Sequence, residues 1–237
     1  MQPRYKRVLL KISGEILKGK EGEPLSAESL GFYANEICEA YFLGVEIAIV
    51  IGGGNFIRGL QSSHLGIDRI QADYMGMVAT IINGMALQSY IEKRGIPTRL
   101  LSSIRIEQVA EPYIRRRAIR HLEKKRIVIL AGGTGNPQFS TDTTASLRAF
   151  EINAEVILKG TKVDGIYTED PIKNPDAAMY NHISYSEAYE KNLNIMDMTA
   201  FAISRAHSIP TIVFNITVAG NLKKVLLGEK IGTIVTA

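Results

Sequence analysis

A chain of 237 residues, 46% hydrophobic and 22% charged, has an ordinary soluble composition and can bury a large core, as one big domain or two small ones. No apolar stretch approaches the roughly 18 residues of a membrane helix. Lys11 cuts the basic N-terminal stretch too short for a signal peptide, and the single cysteine, Cys38, excludes an internal disulfide and fits a reducing cytosol. A net charge of +4 over this length points to small anions more than to nucleic acid, and neither nucleic acid nor membrane is expected as a partner.

Lys6–Ile12 (KRVLLKI) reads as a first strand that Lys11 interrupts, with Ser13-Gly14 following. A lysine at a strand end usually reaches for solvent. Beside a glycine that lets a ligand approach the backbone, Lys11 is also placed to hold a phosphate. Gly14 with Gly19-Lys20 nearly spells a P-loop, but Glu21 stands where the metal-ligating hydroxyl belongs, and no apolar strand ends in the required aspartate. The P-loop reading fails.

Ser26 opens a helix that runs to Leu43, with Glu28 in its first turn and Cys38 as a core residue. Val45–Ile51 (VEIAIVI) is a second strand, apolar enough to be buried on both faces. Gly52, Gly53 and Gly54 follow, then Asn55 and Arg58. They cannot form a dinucleotide fingerprint, which would need glycine at Ile57. Glycine permits positive φ and removes the Cβ that would keep a ligand from the amides. Successive amides make an anion nest, and Arg58 adds a planar, permanently charged donor.

A long helix, Ala72–Arg94, carries Met75, Val78, Ile82, Met85 and Tyr90 near helical spacing. Core burial is the default for them; a subunit interface is the alternative, because the helix is too apolar for one buried face. A helix over Glu111–Lys124 contains the densest basic run, read as a solvated face or an RNA-binding patch. Arg126–Ala131 (RIVILA) is the next strand, and Gly132–Ser146 (GGTGNPQFSTDTTAS) again sets glycines at a strand end before a helix, Thr141–Asn153, that starts at Thr141-Asp142. Unpaired amides at a helix start favour a phosphate. Two glycine turns and Lys11-Ser13-Gly14, each after a buried strand, suggest several phosphates held from different sides.

Ala154–Gly160 (AEVILKG) forms a further strand, followed by Thr161–Pro171. This segment is either a plain hairpin or a loop that sets Tyr167, Asp164 and Asp170 beside a base or ribose. A helix over Thr199–His207 and a strand over Pro210–Phe214 complete the pattern. Strand and helix in alternation give an α/β fold with a mostly parallel sheet covered by helices, whose ligands bind beyond the carboxyl ends of the strands. His64, His121, His182 and His207 are scattered without metal-ligand spacing and read as surface or packing residues.

The segments KISGE, VIGGGNFIRG, DYMGMVATIINGMAL, GGTGNPQFSTDT, LKGTKVDGIYTEDP and IMDMTAF occur in this order, and over about Lys6–Val235 the chain closely resembles bacterial-type UMP kinases of the amino acid kinase superfamily. The resemblance implies one domain, a three-layer α/β/α sandwich, that transfers the γ-phosphoryl group of ATP to UMP. Residues up to about 150 would mainly serve UMP and the remainder ATP. By this likeness Lys11, Ile12, Ser13, Gly14, Gly54, Arg58, Thr161, Tyr167 and Asp170 would bind ATP. Gly53, Asp73 and Thr134, Gly135, Asn136, Pro137, Gln138, Phe139, Ser140 and Thr141 would bind UMP, with Asp73 at the ribose hydroxyls. Lys11, Arg58, Asp142 and Asp197 would carry catalysis, Asp142 by orienting Lys11.

The same likeness implies Mg²⁺ arriving with ATP and no metal ligated by the chain itself, a cytoplasmic homohexamer, and nucleotide effectors with UTP as inhibitor. Members activated by GTP carry an aromatic-glycine pair where this chain has Glu23-Pro24, so GTP activation does not carry over. Two other readings share these residues: a superfamily kinase acting on a carboxylate or carbamate, and a nucleotide-binding regulatory protein without catalysis.

Overall fold

The computed structural model describes residues 2–19, 22–57, 66–169, 171, 173–174, 176–193 and 195–237. The expectations that fall on Lys20, Glu21, Arg58, His64 and Asp170 therefore lie outside the described residues. In chain order the elements are β1 (Arg7–Ile12), a 3-10 turn (Gly14–Leu17), α1 (Ala27–Tyr41), β2 (Glu46–Ile51), α2 (Arg69–Glu92), β3 (Thr98–Ser102), β4 (Glu111–Pro112) and α3 (Arg115–Glu123). There follow β5 (Ile127–Ala131), α4 (Thr141–Glu151), β6 (Val156–Thr161), β7 (His182–Ser184), α5 (Tyr185–Glu190), α6 (Met198–Ala206), β8 (Thr211–Asn215), α7 (Asn221–Leu226) and β9 (Thr233–Thr236). Among the described residues nine strands form one sheet in the order β4-β3-β5-β2-β1-β6-β8-β9-β7, parallel except where β9 runs against β8.

Strand periodicity explains the three layers. Val8, Leu10 and Ile12 of β1 pack with α1, α2 and α7 in one core, whereas Leu9 packs in a second core with Ala145 and Ala149 of α4 and Ala118 of α3. Side chains two apart on a strand share a face, so Lys11 follows Leu9 toward α4. On β6 the same alternation sends Val156 and Leu158 to the first core and Ile157 to the second, and Lys159 follows Ile157. A third cluster, with Tyr185, Phe201, Val213 and Val235, closes the far end of the sheet.

The chain leaves β1 toward β2 and later crosses to its other side as β6. The carboxyl end of β1 is thus a topological switch point, where open α/β sheets take ligands. Lys11 and Ser13-Gly14 sit there.

Several boundaries differ from expectation. Glu111–Pro112 is an edge strand paired with Leu101 and Ser102, and the helix starts only at Arg115; proline holds its predecessor extended and is tolerated at a sheet edge. The cap of α4 is Ser140, whose Oγ accepts the amides of Asp142 and Thr143, so Thr141 is already helical. Helix α2 begins earlier than read, at Arg69, because Asp68 caps it. Met75, Val78, Ile82 and Met85 are not core residues: each is about 40% exposed, with Ile70 and Tyr74, on the outer side of α2. After β6 the chain turns back on itself through a single antiparallel bridge, Tyr167 to Met179, with Thr168 N donating to Ala178 O and Tyr180 N to Ile166 O. No helix among the described residues is long and apolar enough to cross a membrane.

Candidate active site

Lys11 and Lys159 stand side by side in register on the neighbouring parallel strands β1 and β6. From above their face of the sheet, the first turn of α4 lowers Asp142 between them. Lys11 Nζ lies 2.8 Å from Asp142 Oδ1 and Lys159 Nζ 2.7 Å from Oδ2, with all three side chains under 20% exposed. Lys159 also donates to the carbonyl of Ile195. Burial pushes the Asp142 carboxyl up, but the two ammonium groups outweigh it and hold its pKa below the ordinary value. Burial pushes Lys159 down, against the opposing pull of Asp142. Asp142 is therefore a fixed anion between cations, unsuited to abstract a proton.

Asp197, expected in catalysis, sits one layer back. It caps α6 through the amides of Thr199 and Ala200, both at 3.0 Å, and accepts from Thr143 Oγ1 at 2.8 Å and from Ser140 Oγ. Burial raises its pKa, yet these hydrogen bonds together bring it below the ordinary value. Asp197 ties the start of α4 to the start of α6 and so fixes the turn that carries Asp142.

One cleft is lined by Thr141, the residue before Asp142, and another by Lys159. The first is lined by Gly53, Gly54, Asp73, Gly133, Asn136, Phe139, Ser140 and Thr141, among others. Asp73, in the second turn of α2, accepts from Gln138 N at 2.9 Å and from Arg69 Nε at 3.0 Å, which joins α2 to the glycine loop after β5. Thr134 Oγ1 accepts the Asn136 amide at 3.1 Å and shapes the turn through Gly135 and Pro137. Gly132, Gly133 and Gly135 all have positive φ, the conformation that glycine adopts without steric penalty.

The turn after β2 uses glycine differently from expectation. Gly52 and Gly53 do not need positive φ; they need the absence of a side chain. A Cβ on Gly53 would strike the Gly76 carbonyl of α2, and one on Gly52 would crowd Gly14 N at 3.2 Å. The Gly52 amide belongs to the sheet, donating to Ile12 O at 3.0 Å, so Gly53 and Gly54 are the pair that faces the cleft.

Beneath both turns lies an amide pair. Asn55 and Asn83 exchange hydrogen bonds of 2.8 and 2.7 Å; Asn83 also donates to Gly52 O and Asn55 to Pro24 O, each at 2.7 Å. Gly14 packs so closely on Asn55 and Gly52 O that a Cβ there would collide with both. Ser13 caps the 3-10 turn that follows β1.

The second cleft, about 550 Å³ against about 180 Å³ for the first, is lined by Lys159, Thr161, Val163, Tyr167, Leu193 and Ile195 among others. Thr161 and Tyr167 thus face one space. Asp164 turns instead to Asn215 Nδ2 at 2.9 Å, pinning the loop to the end of β8. Sequence reasoning passes over Lys159, although the signal is there: Val156-Ile157-Leu158-Lys159 repeats the pattern of Val8-Leu9-Leu10-Lys11, three apolar residues and a lysine at the end of a buried strand.

Over residues 6–215 the chain matches the model of the amino acid kinase family. It belongs to the amino acid kinase family. Among solved structures of the family, the chain is similar to the UMP kinase of Bacillus anthracis, with 40% identity, a TM-score of 0.95 and coverage of 98% of this chain and 96% of that one. The UMP kinase of Ureaplasma parvum is 36% identical at a TM-score of 0.94, covering 99% and 100%. The uridylate kinase of Archaeoglobus fulgidus is 27% identical at 0.75, covering 96% and 99%. The nine-stranded sheet described above is therefore the amino acid kinase sheet.

Proposed function

We propose that the protein is a UMP kinase, moving the γ-phosphoryl group of ATP reversibly onto UMP to give UDP and ADP. The observation that carries this reading is the Lys11–Asp142 ion pair beside one cleft lined by Thr141 and another lined by Lys159. Full-length similarity to UMP kinases at 40% and 36% identity supports it. UMP belongs in the first cleft, its ribose hydroxyls on Asp73 and its phosphate toward Gly53 and Thr141. ATP belongs in the larger cleft, with adenosine near Thr161 and Tyr167 and its phosphates pointing back to Lys11, Ser13 and Gly14.

The chemistry needs no base. A nucleoside monophosphate is mostly dianionic at neutral pH because its second pKa is about 6. A phosphate oxygen of UMP attacks the γ-phosphorus, the bond from that phosphorus to the β,γ-bridging oxygen breaks, and ADP leaves with the electron pair. The obstacle is repulsion, roughly 4 kcal/mol for two unit charges 4 Å apart at an effective dielectric of 20. Lys11, the amides at the start of α4 and the glycine turns offset it, and Arg58 is assigned to the same task. This is positioning with electrostatic stabilisation.

Magnesium fits as part of the ATP substrate. The oxygens of Asp142 and Asp197 are already engaged by lysines, hydroxyls and amides, which leaves phosphate oxygens and water as its ligands. Bound there it would neutralise charge on the β- and γ-phosphates.

A homo-oligomer, a hexamer by family likeness, is proposed to cover the outer stripe of α2 formed by Ile70, Tyr74, Val78, Ile82 and Met85. The test of function is UDP formation from Mg-ATP and UMP, with CMP, glutamate and carbamate as competing acceptors. UDP as the dominant product supports the reading; phosphorylation of a carboxylate or carbamate, or nucleotide binding without turnover, overturns it.

A further inference from the structure

Arg148 lies further along the helix that carries Asp142 and is only 5% exposed, although no step of the proposed reaction calls on it. Its Nη1 pairs with Glu151 Oε2 at 2.5 Å, and its guanidinium carbon lies over the Tyr113 ring, 3.9 Å from the centroid. Tyr113 Oη donates to the same Glu151 oxygen at 2.5 Å. Stability alone explains such a buried pair poorly, since apolar side chains of similar volume often serve a core as well. The other edge of the guanidinium reaches the wall of the first cleft. Nη2 donates to Ser103 Oγ at 2.8 Å and to Gly133 O at 3.4 Å, and Ser103 Oγ donates to Gly133 O at 3.0 Å.

Gly133 lines that cleft at a φ of 59°. Glycine adopts φ of either sign, so nothing in the residue itself fixes its peptide groups. The Gly133–Thr134 peptide is trans, and its C=O and N–H therefore point in opposite directions. Holding the carbonyl on Arg148 and Ser103 turns the Thr134 amide the other way, and among the described residues no acceptor takes that amide. Other amides of the loop are engaged, Gly132 N with Thr80 Oγ1 at 2.8 Å and Gly135 N with Gly132 O at 3.0 Å.

We propose that Arg148 is a positioning residue for the acceptor nucleotide: with Ser103 it locks the Gly133–Thr134 peptide so that the Thr134 amide stays turned toward UMP in the first cleft. A guanidinium suits this task because it is a rigid planar fork. One edge is anchored on Glu151 and its face on Tyr113, so the opposite edge meets Ser103 and Gly133 in a fixed direction. Arg148 touches no substrate itself; it acts through the loop, and the same helix that aims Asp142 also sets the wall against which UMP rests.

This rests on the UMP-kinase reading, and the experiment separates the two. Arg148→Met removes the fork and keeps bulk. Ser103→Ala is milder, removes the second donor to Gly133 O, and serves where the first variant does not fold. Tyr113→Phe keeps the ring and removes only the phenol's bond to Glu151, so it reads stability apart from the loop. UDP formation with each nucleotide varied is measured beside thermal melts and calorimetric binding of UMP and ATP. Arg148→Met should raise KM for UMP and weaken UMP binding at least about tenfold, and Ser103→Ala about threefold or more. KM and affinity for ATP should stay within about twofold of wild type in both. Tyr113→Phe should lower Tm and leave UMP binding within about twofold. Wild-type protein that forms no UDP sinks the functional reading, while the comparison of UMP with ATP binding still reads Arg148. UMP binding unchanged in Arg148→Met and Ser103→Ala overturns the proposal. So does an equal loss of UMP and ATP binding, or a loss of UMP binding in Tyr113→Phe as large as in Ser103→Ala, the marks of a merely structural arginine.

Discussion

Asp142→Asn keeps the shape of the side chain and removes the one charge that two ammonium groups share at 2.8 and 2.7 Å. Breaking a buried ion pair by deleting one partner costs about 3–5 kcal/mol. Because Asp142 is 19% exposed, and Lys159 can relieve part of the strain by losing its proton, the low end, about 3 kcal/mol, is expected. For a chain of this size that corresponds to a fall in Tm of roughly 6–12 °C. The lysines lose their fixed direction as well, so kcat should drop at least about tenfold, or about 1.4 kcal/mol of transition-state stabilisation.

The acid limb carries the same signature. The Asp142 carboxyl is held below its ordinary pKa in the fold, so its stabilisation is complete above the unfolded value of about 3.9 and is lost as pH falls through the depressed value. The variant should lose part of the wild type's acid dependence. UDP formation at saturating substrates and thermal melts from neutral pH down to about pH 3 measure both. A kcat within twofold of wild type together with an unshifted Tm would refute the argument that Asp142 organises the lysines.

Gly53→Ala should raise KM for UMP at least about tenfold, about 1.4 kcal/mol, because its Cβ strikes Gly76 O and lies 3.0 Å from the Ala79 Cβ, forcing α2 away from the first cleft; steady-state kinetics with UMP varied reads this, and an unchanged KM contradicts it. Asn83→Ala removes the donor to the Gly52 carbonyl and to Asn55 Oδ1 at a fully buried position, leaving Asn55 Nδ2 with Pro24 O alone. The expected loss is about 2 kcal/mol, or roughly 4–8 °C in Tm, and a melt indistinguishable from wild type would show that the amide pair braces nothing. Val78→Glu with Ile82→Glu places charges on the exposed apolar stripe of α2; sedimentation should show a smaller assembly that keeps its fold, and an unchanged mass would move the interface elsewhere.

The sheet was legible in the sequence wherever a strand was buried on both faces. Val8–Ile12, Glu46–Ile51, Ile127–Ala131, Val156–Gly160 and Thr211–Phe214 are unbroken apolar runs or nearly so, and each lies in a strand. Four strands escaped notice: Thr98–Ser102, an interior strand whose apolar run is only Leu100-Leu101; Glu111–Pro112, with no apolar pattern at all; and His182–Ser184 and Thr233–Thr236, which pair with each other. The site was legible as turns, because glycines at strand ends have few other uses. What it lacked was the register between strands. Lys159 stands out only once β6 is laid beside β1, and the hold of Asp197 on Thr143 and the start of α6 shows only in the folded chain. The outer stripe of α2 was ambiguous for a physical reason, since helical spacing says which residues share a face and not what covers it.

Lys11 is the centre of the account, and its replacement tests it most directly. Lys11→Ala, given Mg-ATP and UMP, is expected to bind both nucleotides measurably and to form UDP at least about a hundredfold more slowly than wild type, about 2.7 kcal/mol. UDP formation at a near-normal rate would contradict the claim that fixed cations at the rim of the sheet, with no proton abstractor, bring two anionic nucleotides to reaction.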